Sequence, residues 1–243
     1  MSIPRARDWY RRQTAAIGMI TPSANIVVER VTAAILADFP EVSGHFSRIP
    51  VHGSAEAAGY DWDAMLGAAR LLGHARLDAI CWNGSKGGSI GFAIDHDLCA
   101  RITAETGIPA TTSTLAIESV LRATGVTRVA LVTPYADPYQ AKILAVFARE
   151  GLTCVAEVGA GLTDNFSYCQ VPDTEVAQMI RTVALAKPAA ILTYCTNFAA
   201  AHLVDDLERE LGLPIYDSVS MGVWSALRRA GITTAREIGR AHV

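Results

Sequence analysis

A chain of 243 residues with 51% hydrophobic content can bury substantial cores, as one large domain or two small ones, and is not a disordered protein. Its 21 Lys and Arg balance 24 Asp and Glu, with no basic stripe and no basic run interleaved with aromatics, so nucleic acid is not an expected partner. The first residues are basic and polar (Arg5, Arg7, Arg11, Arg12), and no later run reaches about 18 uninterrupted apolar residues, so a cytoplasmic protein without membrane contact is expected.

Apolar β-rich runs alternate with helical patterns along nearly the whole chain, the signature of parallel sheets flanked by helices, and the fold class is α/β. In chain order the strands are predicted at Ala16–Ile20, His45–Ile49, Ala79–Trp82, Ala110–Thr111, Val129–Val132, Cys154–Val158, Ala190–Thr193 and Ile215–Tyr216. The amphipathic stretches between them fall at Asp61–Ala75, Asp95–Thr106, Thr114–Ala123, Tyr139–Glu150, Thr174–Ala186, Ala199–Leu211 and Met221–Ala230.

The chain also matches itself. Ile17-Gly-Met-Ile-Thr-Pro22 has a counterpart in Val129-Ala-Leu-Val-Thr-Pro134. The block Asp78 to Ser85 lies against Ala189 to Thr196, and Gly107-Ile-Pro-Ala-Thr-Thr-Ser113 against Gly212-Leu-Pro-Ile-Tyr-Asp-Ser218. Buried parallel strands all look alike, but shared Thr-Pro and Gly-x-Pro punctuation in the same order points to a duplicated unit. Two similar lobes, residues 14–124 and 125–230, are expected to face each other across a cleft, with tails at 1–13 and 231–243 and with exchange of terminal segments between the lobes allowed. Ligands of open α/β sheets bind beyond the carboxyl ends of strands, and the matched blocks end there in small polar residues. In this alignment Gly84 takes the place of Cys195.

The five cysteines, Cys81, Cys99, Cys154, Cys169 and Cys195, are odd in number and fit no zinc spacing, so reduced thiols are expected. Cys195, in Thr193-Tyr-Cys-Thr-Asn197, follows a predicted strand and precedes a predicted helix, whose first N–H groups would stabilise a thiolate and lower its pKa. Cys81 and Cys99 fall within a strand and a helix and are expected in the core. Asn83-Gly-Ser-Lys-Gly-Gly-Ser89 is a polar turn able to offer Ser85 and backbone donors to an anion, although Lys86 is followed by Gly-Gly and not by the Walker pattern. Its glycines are equally explained by positive φ angles in a tight connection. Asn25 and Tyr135, after the paired first strands, are both suited to donate to a carboxylate or enediolate oxygen. Ser23 is equally placed to cap a helix with Asn25 in its first turn. Asp164-Asn165 lies in a polar stretch, Gly159 to Pro172, of a length that suits closure over the cleft. Histidines and acids show no metal spacing, Asp95-His96-Asp97 has the look of a polar helix start, and no Gly-x-Ser-x-Gly elbow occurs.

Taken together, the Thr-Pro-Ser-x-Asn start, the Asn-Gly-Ser turn, the Ala-Thr-Thr-Ser-Thr run at 110–114, the Thr-Pro-Tyr motif and the second-half cysteine resemble the aspartate/glutamate racemase superfamily, in its maleate cis-trans isomerase and arylmalonate decarboxylase branch. The similarity runs from about Ile17 to Ala230. The resemblance implies a cofactor-free, metal-free enzyme of small dicarboxylates and a homo-oligomer. Racemases and isomerases of the family place one cysteine in each half; this chain keeps only Cys195 and has Gly84 opposite, the decarboxylase arrangement. There an oxyanion pocket, matched here by Ser85, Lys86 and Tyr135, stabilises an enediolate, and the single cysteine protonates carbon. Lys86 departs from the family's usual hydroxyl residue. Asn25 and Asn165 pull the other way, resembling asparagines that hold a maleate carboxylate, and Tyr168 narrows that side. The expected reaction is decarboxylation of a malonate-like diacid by Cys195, Tyr135 and Ser85. Substrate contacts are expected from Asn25, Ser23, Asn83, Gly84, Lys86, Asn165 and Thr196. Isomerase or racemase activity on a small dicarboxylate, or ligand binding without turnover, are the alternatives.

Overall fold

The structure, a computed structural model, describes residues 13–51 and 59–234, so the expected tails lie almost wholly outside it. Among the described residues eight strands form two four-stranded sheets in which every paired neighbour is parallel. The first comprises β1 (Ala15–Pro22), β2 (Val42–Ile49), β3 (Ala79–Trp82) and β4 (Ala110–Thr112) in the order β2-β1-β3-β4. The second repeats that order as β6-β5-β7-β8, with β5 (Arg128–Tyr135), β6 (Thr153–Leu162), β7 (Ala190–Thr193) and β8 (Ile215–Asp217). The helices are α1 (Val28–Leu36), α2 (Trp62–Gly73), α3 (Gly87–Ile90), α4 (Phe92–Thr106), α5 (Ser113–Thr124), α6 (Asp137–Arg149), α7 (Asp173–Ala184), α8 (Val204–Leu211) and α9 (Ser218–Arg229). No helix among the described residues is long and apolar enough to cross a membrane.

The interior strands β1, β3, β5 and β7 are buried along nearly their whole length, as parallel strands covered on both faces must be, and this makes their sequences near-continuous apolar runs. The duplication extends to individual hydrogen bonds. Asp78 N–H donates to Ala16 O (2.8 Å) and Asn83 N–H to Ile20 O (2.9 Å); their counterparts Ala189 and Tyr194 donate to Arg128 O and Val132 O, both at 2.9 Å. The Gly-x-Pro blocks have the same cause in both halves. Gly107 and Gly212 end α4 and α8 in the left-handed region, φ 72° and 65°, each donating to the carbonyl four residues back at 2.8 Å. Strand-end side chains then start the next helices: Thr112 Oγ1 accepts from Leu115 N–H, and Asp217 Oδ1 from Val219 and Ser220 N–H.

These last helices change sides. Leu115, Ile117, Val120 and Leu121 of α5 pack into the core around β5 and β7, whereas Val219, Val223, Ala226 and Leu227 of α9 pack against Ile17, Met19, Ala79 and Cys81 of the first sheet. Each half thus contributes a helix to the other's core, which holds the carboxyl ends of the two sheets together around one cleft.

Two local expectations change. Helix α1 went unassigned because Val27, Val28, Val31 and Thr32 have strand character; its first turn is instead held by Asn25, whose Oδ1 accepts from Val27 and Val28 N–H at 2.9 and 3.0 Å, so Asn25 and not Ser23 does the capping. The stretch expected as a helix from Ala199 opens as a 3₁₀ turn at Ala201–Leu203, and α8 starts only at Val204.

Candidate active site

A cavity of about 70 Å³ opens where the two sheets' carboxyl ends meet, lined by Trp82, Gly84, Ser85 and Lys86 from the first half and Tyr135, Tyr139, Asn165, Tyr168, Cys195, Thr196 and Asn197 from the second, with Pro22 and Val51 at its margin. One water needs roughly 10–15 Å³ by the same measure, so the space admits a small molecule.

Cys195 is 3% exposed and forms one wall. Its sulfur accepts from Asn197 N–H at 3.4 Å and is hydrogen-bonded by the Tyr135 hydroxyl, which also lies 3.2 Å from Ser85 Oγ. Ser85, Tyr135 and Cys195 therefore form one chain of polar groups across the cleft. Burial pushes the thiol up to about 12, overriding the Tyr135 and Asn197 hydrogen bonds that pull it down. This corrects the expectation of a stabilised thiolate: no helix begins directly after Cys195, because residues 196–200 are a turn and irregular chain ahead of the 3₁₀ segment, and desolvation then dominates. Cys195 rests as a neutral thiol, a proton donor.

The rest of the cavity is donor-rich as well. Burial raises Tyr135 well above the usual phenol range and Tyr139 to about 12, so both keep their protons; Tyr139 also pairs with Ser89 Oγ at 2.9 Å. Lys86, half-buried, is held below its ordinary value by desolvation and makes no ion pair among the described residues. Among the described residues it is the one lining side chain that is charged near neutrality, and its charge matches an anionic ligand.

The glycine-rich turn is shaped by close approach. Gly84, Gly87 and Gly88 do not have positive φ, contrary to that expectation. A Cβ on Gly87 would come within 2.6 Å of the Asp95 carboxylate, one on Gly88 would meet the Tyr194 ring, and one on Gly84 would meet the Trp82 indole. Asp95 also departs from the reading of a polar helix start. Because α4 begins at Phe92, Asp95 faces inward and is fully buried, accepting from Tyr60 Oη at 2.5 Å and Thr112 Oγ1 at 2.6 Å. Burial raises it to about 6.

Not every candidate residue reaches the cavity. Ser85, Gly84, Lys86, Tyr135, Asn165, Cys195 and Thr196 line it together. Asn25 lies behind Thr196, its Nδ2 donating to Thr196 O (2.9 Å) and Oγ1 (3.3 Å), so its amide is occupied on both ends. Asn83 is buried between the halves, donating to Val219 O and accepting from Ser113 Oγ. Ser23 is exposed, with its hydroxyl on Val51 N–H at 3.3 Å. Asn165 faces the cavity in a segment shorter than expected, since β6 continues to Leu162, and Asp164 ties that segment to Ser167.

Asn197, Trp82 and Tyr139 line the cavity without having been singled out. Asn197 joins three segments: its Oδ1 accepts from Ile26 N–H (3.0 Å), its Nδ2 donates to Asn165 O (2.6 Å), and its N–H meets Cys195. Its signal was its position two residues after the cysteine in a polar strand end.

The same fold and chain length recur in known proteins. Residues 17–242 match the profile of the arylmalonate decarboxylase family. The arylmalonate decarboxylase of Bordetella bronchiseptica is 29% identical over 223 residues, 90% of this chain and 91% of that one, and a maleate isomerase of Nocardia farcinica is 27% identical over 229 residues at the same coverage. A crystal structure of arylmalonate decarboxylase superposes with a TM-score of 0.76 at 27% identity, over 93% of this chain and 98% of that one. The maleate isomerase Iso of Pseudomonas putida S16 superposes at 0.85 with 22% identity, over 93% and 96%, a likeness of fold. The profile spans nearly the whole duplicated unit, and this chain belongs to the arylmalonate decarboxylase family.

Proposed function

We propose that the protein is a cofactor-independent decarboxylase of a small malonate-like diacid. The observation that carries this reading is the pairing of one buried neutral thiol, Cys195, with a set of hydrogen-bond donors, Ser85, Tyr135 and Lys86, on a cavity with no second thiol opposite. One substrate carboxylate is held by those donors. As the bond to the other carboxylate breaks, carbon dioxide leaves and the bond's electron pair moves into the retained group, forming an enediolate. Donors aimed at that developing charge supply the main stabilisation, typically a few kcal/mol each in a water-poor site. Cys195 then gives its proton to carbon, and the thiolate, far more basic than water-exposed thiols, regains one from solvent. A thiol with its pKa near 12 suits this order of events, because it is an acid at neutral pH and only a strongly basic carbanion would deprotonate it.

A second reading, isomerisation of a small unsaturated diacid, is favoured by Asn165, Thr196 and Asn197, which give a polar lining beside the cysteine. A maleate isomerase of Nocardia farcinica was solved as a cysteine-to-serine mutant with a covalently bound succinylcysteine intermediate, so its adduct sits on a cysteine other than the mutated one. With Gly84 opposite Cys195, isomerisation here would have to proceed with Cys195 and a partner other than a second thiol. Proton NMR in D2O with substituted malonates, maleate and aspartate separates the readings. Loss of carbon dioxide with one deuteron incorporated is expected; conversion of maleate to fumarate, or α-proton exchange without carbon loss, contradicts the decarboxylase reading. Ligand-induced stabilisation without turnover would make the chain a binding protein.

A further inference from the structure

The two matched turns differ in what stands behind them. Cys195 has Thr193 two residues earlier on the same face of its strand; Gly84 has Trp82 in that position. A Cβ on Gly84 would lie 2.8 Å or less from Cζ2, Cε2 and Cη2 of the Trp82 indole, closer than real side chains approach. The indole, 2% exposed and on the cavity wall, therefore fills the space a side chain at position 84 needs. It is fixed there. Its Nε1–H donates to Tyr60 Oη at 3.1 Å, Tyr60 donates to Asp95, Thr112 satisfies the other Asp95 oxygen, and the Tyr60 ring meets the indole edge-to-face at 6.0 Å. Swinging the indole away would leave its N–H unpaired in the core.

We propose that Trp82 is the specificity-determining residue that makes this site one-sided: held by Tyr60 and Asp95, its indole occupies the place opposite Cys195 where a second acid–base group would stand. It thereby fixes the face on which carbon receives its proton and limits the substituent accepted on that side. The proposal rests on the reading of Cys195 as proton donor. If it holds, the first turn can be rebuilt in the image of the second by Trp82→Thr with Gly84→Cys. A product acid bound there would lose its α-proton to the introduced thiolate as the enediolate forms, and regain a proton from Cys195 on the opposite face, with no co-reactant consumed.

Urea unfolding of wild type, Gly84→Cys, Trp82→Thr and the double variant tests the steric part without any substrate. The midpoint is expected to fall on Gly84→Cys in the wild-type background and to change little in the Trp82→Thr background; an equal fall in both overturns the proposal. Should the threonine variants not fold, Trp82→Leu with Gly84→Ala repeats the cycle with smaller changes. The second readout is α-proton exchange of an optically pure product acid in D2O. Exchange with loss of handedness is expected only in the folded double variant; exchange by wild type, or none in the double variant, overturns the catalytic part. Wild type inactive on malonates, with the stability coupling as expected, would remove the decarboxylase reading and leave Trp82 as the block at this wall.

Discussion

The turn after β3 and the turn after β7 share a backbone and differ in their side chains. Both strand ends make equivalent hydrogen bonds to the central strand, and both are followed by a Gly-x-Pro strand and a capped helix. Yet one turn carries Cys195 over Thr193 and the other carries Gly84 over Trp82. The carboxylates behind them diverge too: Asp95 in the first half reaches Trp82 through Tyr60, while Asp217 in the second accepts from Thr193 Oγ1 at 3.0 Å. Within the repeated frame a few side chains make the site asymmetric, with a buried thiol on one wall and an indole on the other.

Changes on the two walls are expected to have unequal effects. Cys195→Ala removes the acid and should lower kcat by roughly 10²–10⁴-fold with little change in KM, measured by carbon dioxide release; retention of most activity would refute its role. Tyr135→Phe takes a donor from both the enediolate and the Cys195 sulfur, and a loss of about 10²–10³-fold in kcat is expected. On the first-half wall, Asp95→Asn acts through stability. Asp95 is raised to about 6 from 3.8, so the fold favours its neutral form: this contribution is fully present below about pH 4 and is lost as pH rises through 6. The wild type should lose on the order of 3 kcal/mol from this group between pH 4 and 7. The variant should lack that slope in urea unfolding, and an identical slope in both proteins would contradict the burial argument. Lys86→Met should lower kcat by roughly tenfold to a hundredfold, because the ammonium is one of the donors proposed to hold the carboxylate that becomes the enediolate. An effect confined to KM would place Lys86 on the departing carboxylate instead.

The sequence carried the repeated frame well, because its signals are local or periodic. Ala79–Trp82 and Ala190–Thr193 are four-residue apolar runs, buried throughout, and the structure ends them at the expected residues. β6 was cut short in the sequence because Gly159 and Gly161 have the composition of a loop. In the fold Gly159 is the residue that lets β6 pass the Tyr135 backbone, which a Cβ there would strike. At the site, the motif turns around Gly84 and Cys195 were legible for the same reason as the strands. Trp82, Asp95 and Asn197 were not, since their roles depend on partners far along the chain. Tyr60 is 35 residues from Asp95, and Asn197 meets a backbone amide 171 residues away. The charge state of Cys195 was also beyond local reading, because it is decided by how much protein surrounds the sulfur and not by the residues flanking it.

The central claim is that one acid on one wall completes the reaction. Its most direct test is the handedness of the product formed from a small disubstituted malonate, such as 2-ethyl-2-methylmalonate, in D2O. A single enantiomer carrying one deuteron is the predicted result. A racemic product from the wild-type enzyme would contradict the account, because carbon would then be reached from the side that Trp82 closes.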